Sequence, residues 1–260
     1  MEPERLRLGM LNAGRAFALS ELRERIERID RGARVRAVLP FRIREVDRHL
    51  PGGGLALGSL HEVMQAGTAS EHAAVATLFV AGILARNKGP VLWCLSRRDL
   101  FAPALAGAGL HPDRVIYAET RREAEILAAV EEGLRERGLA GVVGEVARLG
   151  LTASRRLQLA AEGSGVPALI IRRWRNEAER GSGAESSAAV TRWRVSAVPS
   201  RPLSAAGIGR ERWLVELIRC KGAEPRSWLL ESCDAKGRLA LPPDVADRSL
   251  PEEHGRRAAA

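Results

Sequence analysis

The sequence predicts an α/β fold with a mainly parallel, twisted sheet flanked by helices. Three observations predict it. The length of 260 residues suits one principal core, strand and helix patterns alternate four times between residues 59 and 171, and later strand patterns follow one another without helices. The alternation implies right-handed crossovers and parallel strands. The later strands predict a C-terminal antiparallel extension of the sheet.

The chain begins with a segment that predicts an amphipathic helix over 20–29. Leu22, Ile26 and Ile29 recur at helical spacing, and charged residues cover the other face. This narrow apolar stripe could dock on a partner protein or pack against its own domain, and both interpretations are open.

The predicted strands and helices of the core follow the hydrophobic periods of the sequence. The strands are 59–64, 91–95, 114–117, 141–146 and 167–171, and the helices are 71–87, 101–108, 122–137 and 152–162. A flexible loop is predicted over 176–189, and the strands 190–198, 212–220 and 227–233 form the extension.

Three units follow from these elements. We predict an N-terminal helical segment (1–33), a core domain (34–241) and a flexible tail (242–260) in which Pro and charged residues dominate.

The charge balance favours a polyanionic partner, with nucleic acid as the first candidate. The formal net charge is +9, and positive charge attracts nucleic acid over long range. Only Lys88, Lys221 and Lys236 of the 41 basic residues are lysine, however, and an excess of arginine is also typical of a GC-rich genome. Both explanations are open.

Membrane and exported proteins are disfavoured. The longest apolar run, 73–85, is shorter than the about 20 residues that span a bilayer, and no secretory signal is visible at the N-terminus. We therefore expect a cytoplasmic protein without membrane contact. Cys94, Cys220 and Cys233 are too few and too widely spaced for a disulfide framework, so they are interpreted as buried or neutral thiols.

Common catalytic and metal motifs are incomplete. His61 and Glu62 begin a zinc-protease pattern, but its second histidine would fall on Gln65. The five histidines form no pair at metal-binding spacing, and no G-x-S-x-G motif is present. No metal site and no catalytic residue is predicted.

A loop between a strand and a long helix is suited to binding phosphates, and here it includes Gly67, Thr68 and Ser70. A working phosphate-binding loop requires G-x-x-x-x-G-K-[ST]. Glu71 occupies the lysine position and His72 the hydroxyl position. Since a carboxylate repels phosphate, no nucleotide cofactor and no ATP turnover is expected.

Arginine and tryptophan cluster near the C-terminal strands, around Trp174, Trp193 and Trp213. Arginine neutralises phosphate and tryptophan stacks on bases, a combination typical of single-stranded DNA binding. The candidate arginines are Arg172, Arg173, Arg175, Arg180, Arg192 and Arg194. In a strand, alternation also puts the tryptophans in a core and the arginines in solvent, and both interpretations are open.

Several of these motifs occur in an order that resembles a known family. The run Leu50-Pro51-Gly52-Gly53-Gly54-Leu55-Ala56-Leu57-Gly58 and the order of elements resemble the RecA-type recombinase core, with Glu145 at the Walker B position and 176–189 at the second DNA loop. Leu60-His61-Glu62-Val63, the short loop after it, and the segments 227–231 and 237–242 are similar to the RecA-like ImuA family.

The resemblance implies a component of SOS-induced mutagenesis. It would work with ImuB, a Y-family polymerase homologue, and with an error-prone C-family polymerase in translesion synthesis. It would contact ImuB or RecA, and single-stranded DNA is a further possible partner. Glu71, His72 and Arg97 stand where RecA has its Walker A lysine, its threonine and its water-activating glutamate, so the resemblance implies a non-catalytic adaptor.

Two alternatives from other functional classes are kept. One is an NTPase or recombination mediator that a partner subunit activates. The other is a cell-division inhibitor similar to SulA.

Overall fold

The computed structural model describes residues 37–67, 69–174, 186–200 and 209–242, without the side chains at positions 69–71 and 73. The predicted N-terminal segment, most of the predicted loop over 176–189, and all but the first residue of the predicted tail lie outside these ranges. The predicted domain limits therefore stay predictions.

The fold is α/β, as the alternation of patterns predicts, and it is consistent with a RecA-like core. A small sheet pairs β1 (Val38–Leu39) with β2 (Leu55–Ala56). The main sheet has eight strands: β3 (Leu60–Gln65), β4 (Val91–Leu95), β5 (Val115–Glu119), β6 (Gly141–Val146), β7 (Ala168–Arg172), β8 (Thr191–Val198), β9 (Arg212–Cys220) and β10 (Arg226–Glu231). Their order is β10-β9-β8-β3-β7-β6-β4-β5.

The strand directions correct one detail of the prediction. Strands β9 and β10 form the antiparallel extension, but β8 runs parallel to β3 and so belongs to the parallel part. The chain between β7 and β8 is long enough to return to the opposite edge of the sheet, as a parallel connection requires. A hydrophobic pattern alone does not encode strand direction.

Two layers of helices cover the sheet. The helices are α1 (Arg44–Asp47), α2 (Ala69–Ala85), α3 (Ala102–Gly107), α4 (Glu123–Gly133) and α5 (Leu151–Ser164). Residues of α2 and α3 belong to one apolar cluster, and residues of α4 and α5 belong to a second cluster on the other face. Helix α4 ends four residues before its predicted end because the N–H groups of Arg135 and Glu136 bond to carbonyls three residues back, which is turn geometry.

Buried tryptophans of β8, β9 and β10 belong to the apolar cluster that packs the sheet against α2. Trp193 and Trp213 are 0% and 1% exposed, as the core interpretation of the alternating pattern predicts. The ring centroid of Trp193 lies 5.5 Å from that of Phe41, 5.9 Å from Phe79 and 6.2 Å from Trp228. Such distances are typical of favourable aromatic pairs.

The three cysteines are free thiols. Burial raises the pKa of Cys94 to about 12, that of Cys220 to about 11 and that of Cys233 to about 12, which confirms that they are neutral. Within the described ranges, no helix has both the length and the apolar character needed to cross a bilayer.

Candidate functional site

The carboxyl ends of the parallel strands β3, β4, β6 and β7 lie at one edge of the sheet, which we call the carboxyl edge. In open α/β sheets this edge is where ligands bind. It also holds most of the sequence-predicted site residues. The side chains at this edge are therefore the ones that would hold a nucleotide and its metal ion.

The connection from β3 to α2 is short. Only positions 66–68 separate the last residue of β3 from the first residue of α2. A Cβ atom at Gly67 would lie 2.7 Å from Cδ2 of His72, so the imidazole is packed against this connection. Gln65 is buried, and its side-chain amide donates to the carbonyls of Gly67 and Trp174 at 3.3 and 3.2 Å.

The other predicted residues of this loop lie wholly or partly outside the described residues. Thr68 and the side chains of Ser70 and Glu71 lie outside the described residues, although positions 70 and 71 belong to the first turn of α2.

His72 joins α2 to β8. Its Nδ1 accepts the backbone N–H of Ala197 at 3.2 Å, so Nδ1 carries no proton in this bond. Val195 is the last β8 residue that pairs with β3. Ala197 lies two residues further along β8, so its N–H points towards the β3 side of the strand, beyond the last residue pair of β3 and β8. The residue at the hydroxyl position of a phosphate loop thus bonds to the backbone of the sheet.

Glu145, at the Walker B position, is bound by an arginine. Nη1 of Arg173 donates to Oε2 of Glu145 at 2.6 Å, and Nε1 of Trp93 donates to Oε1 at 2.8 Å. The same guanidinium donates to both oxygens of Asp99, at 3.0 and 2.8 Å. We call Asp99, Glu145 and Arg173 the arginine clamp. It joins the carboxyl ends of three neighbouring strands, since Asp99 follows β4, Glu145 is the last residue but one of β6, and Arg173 follows β7.

The electrostatics of the arginine clamp favour its charged form. Burial lowers the pKa of Arg173, but the bonds and charges of Asp99 and Glu145 outweigh this effect and raise it. Burial raises the pKa of Asp99, but its hydrogen bonds to Arg173 and the charges of Arg173 and Arg97 outweigh burial and lower it. The side chain of Glu145 is only 4% exposed, and both of its oxygens are hydrogen-bonded within the protein.

The described side chains at this edge do not supply the groups that hold a nucleotide and its metal ion. A phosphate site needs backbone N–H groups that wrap the anion and a cationic side chain, and the metal ion needs a carboxylate with a free oxygen. Here the connection after β3 is three residues long, and the guanidinium of Arg173 forms an ion pair with the carboxylate of Glu145.

A second charged cluster lies on the opposite face of the sheet. Oε2 of Glu62 accepts from Nη1 of Arg172 at 3.1 Å, and Oε1 accepts from Nη2 of Arg192 at 3.0 Å. Ser187 also donates to Oε1, and Nε of Arg172 donates to the carbonyl of Ala147 at 3.1 Å. The side chains of Glu62 and Arg172 are both 0% exposed. We call Glu62, Arg172, Arg192 and Ser187 the buried charge cluster.

The described candidate DNA arginines therefore all have carboxylate partners inside the protein. Arg172 and Arg192 bind Glu62, Arg173 is part of the arginine clamp, and Arg194 forms a two-bond pair with Glu216 at 2.6 and 2.7 Å. The burial of Arg172 disfavours phosphate contact by that side chain. DNA contact stays a prediction, and the residues outside the described ranges are Arg175 and Arg180, together with the partner-helix candidates Leu22, Ile26 and Ile29.

His61 is a structural residue of the core. Its Nε2 donates to the carbonyl of Ala56 at 2.8 Å, and its Nδ1 lies 2.7 Å from the hydroxyl oxygen of Thr191. That hydroxyl also accepts Nε1–H of Trp193 at 2.7 Å. The incomplete zinc motif is thus part of a buried hydrogen-bond chain.

Sequence reasoning missed the partners of the charged residues. Asp99, Trp93, Glu62 and Ser187 were not among the predicted site residues. One signal was present: Glu62 and Glu145 each stand in an otherwise largely apolar strand, and a carboxylate is almost never fully buried unless it is paired.

Two comparisons with known proteins extend this description. No protein-family model matches the chain. The chain is 41% identical over 207 residues to Protein ImuA from two strains of Caulobacter vibrioides, and each match covers 76% of this chain and 84% of the relative.

Proposed function

The chain belongs to the ImuA family, and we propose that it acts as a non-catalytic, RecA-like accessory protein of SOS-induced, error-prone translesion DNA synthesis. The proposal has two parts. One concerns the lost nucleotide chemistry of the carboxyl edge, and the other concerns the partners.

The arginine clamp is the observation that carries the first part. In a nucleotide-driven enzyme, the carboxylate at the position of Glu145 serves a metal ion and its water ligands. Arg173 supplies positive charge to this carboxylate from within the chain, and Trp93 bonds its other oxygen. The RecA-like scaffold is thereby held together at its ligand-binding edge without nucleotide, which supports a role in contact rather than in turnover.

The second part follows from family membership. The partners that we propose are an ImuB-like Y-family polymerase homologue, RecA and, through them, an error-prone C-family DNA polymerase. Single-stranded DNA is an additional proposed partner, in line with the net charge of +9. We propose a cytoplasmic location, where these partners act.

Titration calorimetry with Mg-ATP tests the first part, with RecA under the same conditions as the positive control. We expect no saturable heat from this chain. Arg173→Gln, which opens the arginine clamp, and Arg97→Gln, which changes an exposed arginine nearby, should behave in the same way. Saturable binding of Mg-ATP at micromolar concentration by the unmodified chain would contradict the non-catalytic role.

Pull-down of the ImuB-like homologue with the purified chain tests the second part. We expect equal recovery with and without Mg-ATP, because the scaffold needs no nucleotide to hold its shape. Phosphate release by chain and homologue together should not exceed the background of either alone. Recovery that requires ATP, or phosphate release that appears only with both proteins, would favour a partner-activated NTPase.

A further inference from the structure

A groove with a volume of about 490 Å³ lies between α4 and α5. Its volume is within the range of ligand sites in proteins, about 300–1,000 Å³. Its walls are the last turn of α4, the residues that follow α4, and the part of α5 from Arg156 to Ser164. The lining residues are Glu131, Arg135, Arg137, Arg156, Leu159, Ala160, Gly163 and Ser164.

The groove lies far from the carboxyl edge of the sheet. Both helices begin just after a strand ends at that edge and run back along the sheet, so their last turns lie at the opposite edge. Arg137 spans the groove, since its Nη2 lies 3.5 Å from the carbonyl oxygen of Gly163. A ligand bound here would not touch the arginine clamp.

The groove is rich in guanidinium groups. Arg135 donates to Glu132 at 2.8 Å, and Arg156 is paired with Glu131. Among the described residues, no carboxylate lies within ion-pair distance of Arg137. Each guanidinium carries five N–H donors, and the side chains of Arg135 and Arg156 are both 64% exposed. Most of these donors therefore remain available to an anionic partner.

An apolar side chain completes the groove. Leu159 is 67% exposed, although it stands in the middle of α5, where leucine normally packs inward. Ala160 and Gly163 beside it leave room above the helix. A partner that covers Leu159 removes its apolar surface from water, which is favourable and selects for an apolar residue in the partner.

We propose that this groove binds an acidic peptide segment of a partner protein that carries an apolar anchor residue. The three arginines would bind its carboxylates, and Leu159 would pack against the anchor. Nucleic acid fits less well, because the lining contains no aromatic side chain for base stacking. The inference goes beyond the proposed function, since it holds for any protein that supplies such a segment.

Fluorescence anisotropy tests the proposal with a labelled synthetic peptide of about 12 residues, in which two leucines interrupt a run of Asp and Glu. We expect saturable binding that weakens with salt. The triple variant Arg135→Gln, Arg137→Gln, Arg156→Gln should lose affinity by about tenfold or more, and Leu159→Ser should lose severalfold. The triple control Arg44→Gln, Arg97→Gln, Arg121→Gln removes the same charge from exposed positions outside the groove and should change little.

Three outcomes would overturn the proposal. The first is equal loss of affinity in the groove variant and in the charge-matched control, which would mean attraction to net charge only. The second is equal binding of an all-acidic peptide without leucine. The third is competition by single-stranded oligonucleotide that the groove variant abolishes, which would assign the groove to nucleic acid. Circular dichroism shows whether each variant is folded, and the exposure of the substituted side chains predicts that it is.

Discussion

At the scale of single residues, the stability of the fold depends on ion pairs that are largely buried. In the buried charge cluster, one carboxylate serves two guanidiniums, and the side chain of Arg192 is only 11% exposed. Nη2 of Arg172 has no hydrogen-bond partner among the described residues. Removing ions from water is expensive, and their mutual bonds offset that cost only while each partner is present. Glu62 is therefore the residue on which the cluster depends.

Glu62→Gln should lower the free energy of unfolding by about 3–5 kcal/mol, because it leaves two buried guanidiniums without a counter-charge. Urea denaturation measures this loss. Glu216→Gln is the matched control, since it also removes a carboxylate from an arginine pair, but one whose arginine is 41% exposed. The control should cost no more than about 1 kcal/mol. Similar losses in the two variants would show that the buried charge cluster contributes no more to the free energy of unfolding than an exposed ion pair does.

The sequence indicates which charged residues stand in predicted strands, but it does not indicate how they pair. The consecutive arginines 172 and 173 must point to opposite faces of a strand, and Glu62 and Glu145 are recognisable as carboxylates within strands. Which carboxylate meets which arginine depends on the strand order, because β7 lies between β3 and β6. That order comes from long crossovers, and no local pattern specifies it.

At the scale of elements, the junction between β3 and α2 depends on a hydrogen bond from His72 to a third element, β8. The side chain of His72 accepts an N–H of β8 that lies beyond the last residue pair of β3 and β8. An unpaired buried backbone group is costly. The histidine is thus a link between a helix and a strand that are distant in sequence.

His72→Ala should lower the free energy of unfolding by about 1 kcal/mol, the usual net value of one hydrogen bond, and should speed hydrogen exchange at the amide of Ala197. His72→Asn should preserve much of the protection, because its side-chain oxygen also accepts. His111→Ala is the control, since that histidine is exposed and bonds only to Asp113 in the described structure. Exchange at Ala197 that is equally slow in all three variants would exclude the link.

Element positions are the part of the fold that hydrophobic periods predict best. The predicted strands 91–95, 141–146 and 212–220 have the limits found in the structure. The first two are buried runs bounded by turn residues, and the third alternates buried and less buried residues along most of its length before the turn at Lys221. The prediction that β8 belongs to the antiparallel extension was wrong, because the direction of a strand depends on where the preceding connection leads. Helix α4 was predicted too long because Glu and Arg favour helix in its final turn, whereas the backbone there closes into turns.

At the scale of the whole molecule, the two apolar layers isolate three thiols in different places. Cys94 belongs to the layer of α4 and α5, whereas Cys220 and Cys233 pack against the layer of α2. Burial raises the pKa of each thiol, so each remains protonated when folded and ionises near its ordinary value when unfolded. A raised pKa contributes stability that is present below the ordinary value and is lost as the pH rises above it.

Alkaline conditions should therefore weaken the whole fold, and Cys94, which has no exposed surface, gives the sharpest test. Between about pH 8 and about pH 10, its ionisation in the unfolded chain alone should remove about 1 kcal/mol of the free energy of unfolding. Urea denaturation under reducing conditions at both pH values, for the unmodified chain and for Cys94→Ala, measures this loss.

Cys94→Ala will itself lower the stability at both pH values, because it removes packed atoms, so only the change with pH is compared. The variant should lose about 1 kcal/mol less than the unmodified chain on going to high pH. Other groups that titrate there, such as tyrosine and lysine, contribute equally to both proteins and cancel. An identical alkaline loss would mean that the Cys94 thiol ionises equally well in the folded protein, and hence that water reaches the layer between the sheet and α4.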